Sequence, residues 1–428
     1  MSKQFVLCGV LVSFVLTLCL SIQASGADTL RTTLEDAEAV FLKENLVLLA
    51  ARFDIEAAEA QRLQAQLWPN PNFSLEQNLY NPNNRNMPLD VSGSSQFIVE
   101  VNQIIYLAKQ RQKRTRLADL DVQLAEYQFV ELMRTLRHEL RKAHLDVFFA
   151  LQRHRVYKES IATLNKLVQV YELQLAKGNV PLTEVARLKA LLLDYENESA
   201  DLLIQIQDLQ LTLRLLLRLP TTTFYRPLLP VEQPDISAMR SWTADSLYEL
   251  ALTHRVDYRI AETQARQADA AVTYEKAMAT PNLNAGFVFD RYGSFGPNYA
   301  GARLSIDVPF FNRNQGNIRT AEAFRGKLKT KLDYAREEMA QQIGTTLEKM
   351  RIDLELAKHY SPENTEQFER LLAGIIKEYE KRNISLIEFT EYYQTFRDYT
   401  YKKINHHEQL FDYMEDINYY AGLILYDF

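Results

Sequence analysis

Lys177-Gly178-Asn179-Val180-Pro181-Leu182-Thr183-Glu184 returns 204 positions later as Lys381-Arg382-Asn383-Ile384-Ser385-Leu386-Ile387-Glu388. In each copy a basic residue ends one helical run and a new run starts at once. Gly178 suits a left-handed helix end, Pro181 a first helical position, and Ser385 with Glu388 a capping box. Each octet therefore reads as the sharp reversal of a helical hairpin. Working back from the first, no Pro or Gly occurs between Leu107 and Ala176, a stretch of 70 residues, or about 105 Å of helix at 1.5 Å per residue. The matching stretch from Arg313 to Lys381 is 69 residues. Pro362 is expected to kink it, and Gly316, Gly326, Gly344 and Gly374 to weaken it. The returning helices are placed at 182–219 and 385–427. In the first of them Leu192, Tyr195, Leu202, Ile206, Leu209, Leu213 and Leu216 keep 3,4 spacing with one miss at Ser199, the pattern of a coiled-coil seam. Helices at 28–67 and 243–279 are expected to stack end to end on these shorter arms.

Above each hairpin, two runs alternate with the period of a strand. Phe73, Leu75 and Leu79 oppose Asn72, Ser74, Glu76 and Asn78, with Gln77 the exception; Phe97, Val99 and Val101 oppose Gln96, Glu100 and Asn102. The turn-rich stretch Asn81 to Ser95 joins the two as a β-hairpin. In the second half, Leu283, Ala285, Phe287 and Phe289 oppose Asn282, Asn284, Gly286 and Asp290, and Ala300, Ala302, Leu304, Ile306 and Val308 oppose Tyr299, Gly301, Arg303, Ser305 and Asp307. Pro71-Asn72 and Pro281-Asn282 open the two hairpins 210 positions apart. Two landmarks at nearly one offset indicate a duplicated unit of about 200 residues, far longer than a solenoid repeat. The expected organisation is a first repeat at 28–219 (β-hairpin 72–104, helical hairpin 107–219), a Pro-bearing linker at 220–242 with Pro220, Pro227, Pro230 and Pro234, and a second repeat at 243–428 (β-hairpin 282–308, helical hairpin 313–427).

The chain of 428 residues is 47% apolar and 24% charged with only 13 Gly and 13 Pro, which excludes a disordered or collagen-like polymer and leaves little punctuation for a many-stranded fold. Formal net charge is -6, with no basic half, so nucleic acid is not an expected partner. Lys3 precedes the apolar run Phe5 to Ile22, and Ala24-Ser25-Gly26-Ala27 follows it; residues 1–27 read as a secretory signal peptide, against the alternative of an uncleaved anchor. Cys8 and Cys19 are the two cysteines and both lie in this segment, so cleavage leaves no thiol. A lipid on Cys19 is the alternative for that residue, although Leu18 precedes it where a small residue is expected. Removing one Lys and no acid takes the net charge from -6 to -7.

Four strands cannot close a barrel, and an isolated sheet would leave edges and an apolar face uncovered. Two copies would give eight strands and a barrel filled by side chains, three would give twelve and room for an aqueous lumen, and runs of about nine alternating residues fit outer-membrane barrel strands. The fold class is mainly α with a small β part: a homotrimer with a 12-stranded outer-membrane β-barrel continued by a 12-helix periplasmic α-barrel.

Pro71-Asn72 before a strand, Gln103 through Lys109 at the strand-to-helix exit, Val308-Pro309-Phe310-Phe311-Asn312-Arg313-Asn314-Gln315-Gly316, and the Lys177 and Lys381 turns resemble the outer-membrane efflux protein family, TolC-like, and within it the heavy-metal, CzcC-like branch. The resemblance runs from about Asp28 to Tyr426. It implies an outer-membrane channel, the exit duct of a tripartite efflux system, passively conducting heavy-metal cations or drugs delivered by an inner-membrane pump through a periplasmic adaptor (membrane fusion protein). It also implies adaptor-docking tips at Gly178, Asn179, Val180, Pro181, Leu182 and Thr183 and at Asn383, Ile384, Ser385 and Leu386. Relatives often gate the entrance with acidic residues about nine positions before a tip glycine. Here Ala373 and Gly374 stand there and Arg382 replaces the glycine, so Glu369, Glu378 and Arg382 are taken as substitutes. Glu76, Glu100, Asp290, Arg303 and Asp307 are expected to line the barrel lumen.

No catalytic constellation, cofactor site or metal site is expected. The seven histidines, His138, His144, His154, His254, His359, His406 and His407, show no His-Glu-x-x-His spacing; His406-His407 point to different helix faces and read as surface residues. No phosphate-cradling glycine loop is present, so the driving energy must come from elsewhere. The competing class is a periplasmic coiled-coil scaffold or adaptor protein without a pore.

Overall fold

A computed structural model describes residues 28–79, 96–230, 239–293 and 295–428. The signal segment 1–27, the hairpin connection 81–95 and Pro234 fall outside the described residues.

The first half runs β1 (Thr29–Thr32), α1 (Leu34–Glu44), α2 (Leu46–Gln66), β2 (Asn72–Gln77), β3 (Phe97–Ile105), α3 (Gln110–Ala176), α4 (Leu182–Leu217) and β4 (Phe224–Pro227). The second runs α5 (Ala244–His254), α6 (Val256–Met278), β5 (Leu283–Gly293), β6 (Gly296–Ile306), α7 (Gln315–Leu356), a 3-10 turn (Ala357–Tyr360), α8 (Pro362–Glu380) and α9 (Leu386–Ala421). At 67 residues, α3 is a single rod about 100 Å long. Its partner is not. The run expected as one kinked helix from Arg313 to Lys381 is two helices, because Pro362 removes a donor and clashes with the preceding turn. Ser361 then caps the new start, accepting from Asn364 N, with Pro362 at the first position of α8.

Two further expectations are corrected. The helix placed at 28–67 begins as a strand, β1, and breaks at Asn45; the helix placed at 243–279 breaks at Arg255. Each break is one extended residue (φ -65°, ψ 118° and φ -70°, ψ 121°) between two helices. The linker 220–242 also contains β4, which pairs in parallel with β1 from Thr29 opposite Phe224 to Thr32 opposite Pro227. Gln210 fixes β4 by bonding both N and O of Tyr225 at 2.7 and 2.6 Å, and the Tyr225 hydroxyl lies 2.7 Å from His144 Nδ1.

Side by side, α4 and α2 pack on α3, α3 on α6 and α9, and these on α7 and α8. Both short arms are spliced end to end, as expected. Asn45 accepts from Val47 N and Leu48 N at 3.0 Å each and donates to Leu216 O at 2.9 Å, joining the end of α4 to the start of α2. Gly422, at φ +78°, ends α9 so close to His254 and Arg255 that a Cβ would meet backbone at 2.8 Å, and α6 starts there. Three apolar clusters hold the wall together: Leu164, Leu188, Tyr195 and Phe389 near the tips, Phe149, Met339, Leu347 and Phe411 at mid-height, and Phe41, Leu140, Leu213 and Tyr225 beside them. Among the described residues no helix is long and apolar enough to cross a membrane.

Candidate functional site

The sheet at one end of the rods has the order β2-β3-β5-β6, all antiparallel. Alternation in each strand and the pairing register agree, so apolar residues fall into transverse rows. Phe73, Val101, Phe287 and Ala302 form one row, and Leu75, Val99, Phe289 and Ala300 another. This face is uncovered within the chain: Phe73 is 66% and Phe287 53% exposed. The opposite face carries the row Asn72, Asn102, Gly286 and Arg303 and the row Glu76, Ile98, Asp290 and Tyr299. Arg303 Nη1 reaches Glu100 Oε1 at 2.9 Å, and Asn102 Nδ2 donates to Glu100 Oε2 at 3.4 Å. Four of the five expected lumen residues, Glu76, Glu100, Asp290 and Arg303, therefore share one face. The fifth, Asp307, lies one residue past the end of β6 at Ile306, where the extended ladder has stopped.

The strand-to-helix exits are tight. Ala108, Lys109 and Asn314 take left-handed φ of 50°, 58° and 57°, and the residues that follow cap the helices ending beneath the sheet. Gln110 Nε2 donates to Ala277 O and Thr280 O, Arg111 to Gln66 O, Arg114 to Ala65 O and Leu67 O, and Asn314 to Glu275 O. Sheet and rods are thus one connected body.

At the far end the two reversals are built alike. Gly178 N donates to Leu175 O and Asn179 N to Gln174 O, both at 2.9 Å; Arg382 N donates to Tyr379 O and Asn383 N to Glu378 O, again at 2.9 Å. Both are double-bonded C-terminal caps that require a left-handed residue, supplied by Gly178 at φ +72° and by Arg382 at +62°. Each following Asn also donates its side-chain amide back: Asn179 to Gln174 at 2.8 Å, Asn383 to Glu378 at 2.5 Å. The capping box expected at Ser385 and Glu388 is present, whereas Pro181 stands one residue before α4 as its N-cap. Val180 and Ile384 pack on one shared cluster. Tyr171 stacks on Tyr379 at 5.3 Å and Tyr379 on Phe389 at 4.2 Å, so the two tips sit next to each other. Leu182 and Thr183 face solvent, while Leu386 is buried.

The three residues taken as gate substitutes do not form a cluster. Glu378 is held by Asn383 and Lys381, which draw its carboxyl below the usual range. Arg382 occupies the turn itself. Glu369 lies higher on α8, at the rim of a cavity of about 460 Å³ between α3, α8 and α9 that Glu159, Lys403 and His407 also line. His407 is half-buried there, with burial, then Lys403 and His406, lowering its pKa to about 4; His406 is buried at 7% exposure with its ring 5.1 Å from Tyr360. Neither is the surface residue that the sequence suggested.

A feature the sequence reading missed is a ladder of buried and half-buried charges between α3 and α9, joined at one rung by Glu38 of α1. Arg141, 3% exposed, bridges Glu38 at 2.7 Å and Glu415 at 2.6 Å. Lys142 meets Asp416 at 3.4 Å and Asp412 at 3.6 Å, and Arg153 pairs with Glu408. Burial, with repulsion from Glu408, raises Asp146 to about 6; burial, against the pull of Lys142, raises Asp412 to about 7. The signal was available as acids at Glu408, Asp412 and Glu415 on one face of α9, but on a long helix such spacing also describes a solvated face.

Comparison with known proteins gives one family profile, one sequence relative and several similar folds. The sequence profile of the outer membrane efflux protein family matches residues 40–217. The cobalt-zinc-cadmium resistance protein CzcC of Cupriavidus metallidurans is 21% identical over 290 residues, spanning 68% of this chain and 66% of that protein, just under two-thirds of its length. The outer membrane protein VceC of Vibrio cholerae superposes with a TM-score of 0.73 at 15% identity, covering 92% of this chain and 97% of VceC. The CmeC outer membrane channel of Campylobacter jejuni superposes at 0.71 and 14% identity, covering 91% and 85%.

Proposed function

We propose that this chain, similar in sequence to the outer membrane efflux proteins and sharing the fold of their channels, is the outer-membrane exit duct of a tripartite efflux system. The observation that carries the reading is the sheet: four antiparallel strands with apolar rows on one face, charged and amide side chains on the other, and no pairing partner for β2 or β6 on their outer sides among the described residues. A sheet of this kind on its own would expose backbone edges and a broad apolar patch. Three copies side by side make twelve strands, remove every edge, put the apolar rows in lipid and turn Glu76, Glu100, Asp290 and Arg303 into a water-filled lumen. Three of the four strands have suitable length, 9 residues for β3 and 11 each for β5 and β6, while β2 is shorter at 6; a tilted outer-membrane strand needs about 9 to 11.

The rods then continue the barrel as a periplasmic tube, and the paired tips at Gly178 to Thr183 and Asn383 to Leu386 meet a periplasmic adaptor delivering cargo from an inner-membrane pump. Glu369 and Arg382 are the groups of the entrance that remain available to control it. The duct performs no chemistry and binds no cofactor; transport is passive through it. Heavy-metal cations are the cargo this reading puts first and drugs second, because the curated relative is a cobalt-zinc-cadmium resistance protein and three of the four face residues are acids. The two β-hairpin and helical-hairpin sets are read as a duplicated unit.

The test is the mass of the detergent-extracted protein together with conductance in planar bilayers. Trimer mass with discrete current steps is the expected result. A monomer extracted without detergent and silent in bilayers would overturn the channel reading in favour of a periplasmic scaffold.

A further inference from the structure

Directly beneath the sheet the chain concentrates positive charge. Lys109-Gln110-Arg111-Gln112-Lys113-Arg114-Thr115-Arg116 holds five cations in eight positions, and neither this stretch nor 60–71, the end of α2 and its exit to β2, contains an acid. None of the five forms an ion pair among the described residues. Like charges crowded on neighbouring turns of a helix repel, so the cluster is favourable only where an external anion offsets it.

A cavity of about 430 Å³ lies beside it, between the end of α2 and the start of α3, and its lining includes Gln61, Gln64, Trp68, Pro69, Tyr106 and Arg114. Small-molecule sites span about 300 to 1,000 Å³. Arg111 lies over the Trp68 ring at 4.5 Å and Arg114 over the Tyr106 ring at 5.7 Å. Both direct some of their donors to the carbonyls that end α2, at Ala65, Gln66 and Leu67. Nη1 of Arg114, and Nε and Nη2 of Arg111, form no bond among the described residues. Two guanidinium groups are thus held in place by rings and carbonyls, each with N–H groups left over, and a planar guanidinium so presented matches a phosphate. Depth and face say where that phosphate comes from. Gln103, on the apolar side of β3 by alternation with Val99 and Val101, donates to Pro69 O at 3.0 Å, so the cavity that Pro69 borders adjoins the face that the channel reading puts in lipid. Trp68 is 55% exposed, and at the matching strand-to-helix exit of the second half Phe310 and Phe311 are 73% and 87% exposed. Aromatic girdles of this kind sit where hydrocarbon gives way to headgroups.

We propose that this cavity seats the headgroup of an anionic phospholipid from the periplasmic leaflet. Arg111 and Arg114 take the phosphate, Gln61 and Gln64 the polar remainder of the headgroup, and Trp68 and Tyr106 the start of the acyl chains. Lys109, Lys113 and Arg116 supply the surrounding positive field. This deepens the channel reading and rests on it: the joint between sheet and rods is held at headgroup depth by a lipid of chosen charge.

The wild-type protein, extracted and delipidated in a neutral detergent, is titrated with phosphatidylglycerol, with phosphatidylcholine and with inorganic phosphate, reading bound lipid by native mass spectrometry and stability by thermal unfolding. Phosphatidylglycerol should bind about 25-fold more tightly than phosphatidylcholine, two cations contributing about fivefold each, and should raise the unfolding temperature, while inorganic phosphate does not. Equal binding of the two lipids would reduce the site to an aromatic contact and overturn the proposal. Inorganic phosphate acting as strongly as phosphatidylglycerol would make a soluble anion the ligand and overturn it too. Arg114→Gln should cut the preference about fivefold and Lys331→Gln, lower on α7, should leave it; a preference unchanged in Arg114→Gln would sink the assignment, and the wild-type comparison decides even where that variant fails to fold. Trimer mass and conductance without any lipid preference would overturn the site while leaving the channel intact; a silent monomer would overturn both.

Discussion

Arg382 does the work of a glycine. It holds φ +62° in a cap whose hydrogen bonds duplicate those around Gly178, and a residue with a Cβ in that region costs about 1 kcal/mol. Arg382→Gly is therefore expected to stabilise the chain by about 0.5 to 1 kcal/mol, and Gly178→Ala, where nothing lies within 4 Å of the added carbon and only the backbone objects, to destabilise it by a similar amount. Thermal unfolding in detergent reads both. Asp412 gives a pH dependence. Burial sets its carboxyl at about 7 against an ordinary 3.8, so between those values the folded chain keeps a proton the unfolded chain has released. Its contribution to stability is complete below 3.8 and is lost as pH rises through 7. Asp412→Asn should thus unfold at higher temperature than wild type at pH 8, by roughly 1 to 2 kcal/mol in stability, with the difference gone at pH 4. An equal gain at both pH values would show that repacking, not the proton, was responsible.

At the scale of elements, what could be read in the residues depended on how each boundary is made. The reversals were legible because Gly178 takes the left-handed cap position and Ser385 with Glu388 forms the capping box, with Pro181 marking the restart one residue off its expected place, and the four long strands because their period of two survives both neighbours. The helix joints at Asn45 and Arg255 were not legible, since a single extended residue with neither Pro nor Gly interrupts the periodicity by too little to notice. Strands β1 and β4 were missed for a related reason: four residues cannot show a period, and β4 owes its place to Gln210 of the preceding helix and to His144 of α3, 81 residues away. Pro362 was visible, but whether it would kink or break depended on Ser361 being free to cap. The joint at Asn45, 2% exposed, yields a direct prediction. Asn45→Ala deletes two cap bonds and the donor to Leu216 O and should cost about 2 kcal/mol. Asn45→Asp keeps the cap, loses the donor and should fall between. If the two variants unfold together, the splice to α4 contributes nothing.

For the molecule as a whole, one chain can state both faces of its sheet but not the number of copies that closes it. The alternation assigned Glu76, Glu100, Asp290 and Arg303 to one side, and the register brings them together; the trimer is inferred from the edges they leave open. The two faces make opposite demands on a new charge, and that asymmetry can be measured. Phe287 lies mid-row between Val101 and Ala302; an arginine there, if the face is in lipid, costs about 2 to 4 kcal/mol in each protomer at the bilayer midplane. Phe287→Arg should therefore fail to accumulate in the outer membrane. Arg303 is on the other face with its partner Glu100 2.9 Å away. If that face lines the proposed lumen, Arg303→Gln frees the carboxylate beside Glu76 and Asp290, so assembly should be retained while the reversal potential under a salt gradient moves toward the cation value. Glu100→Gln with Asp290→Asn should move it back. Were the faces assigned the wrong way round, Phe287→Arg would assemble and alter selectivity while Arg303→Gln left it untouched, so the pair of variants decides which face is wet.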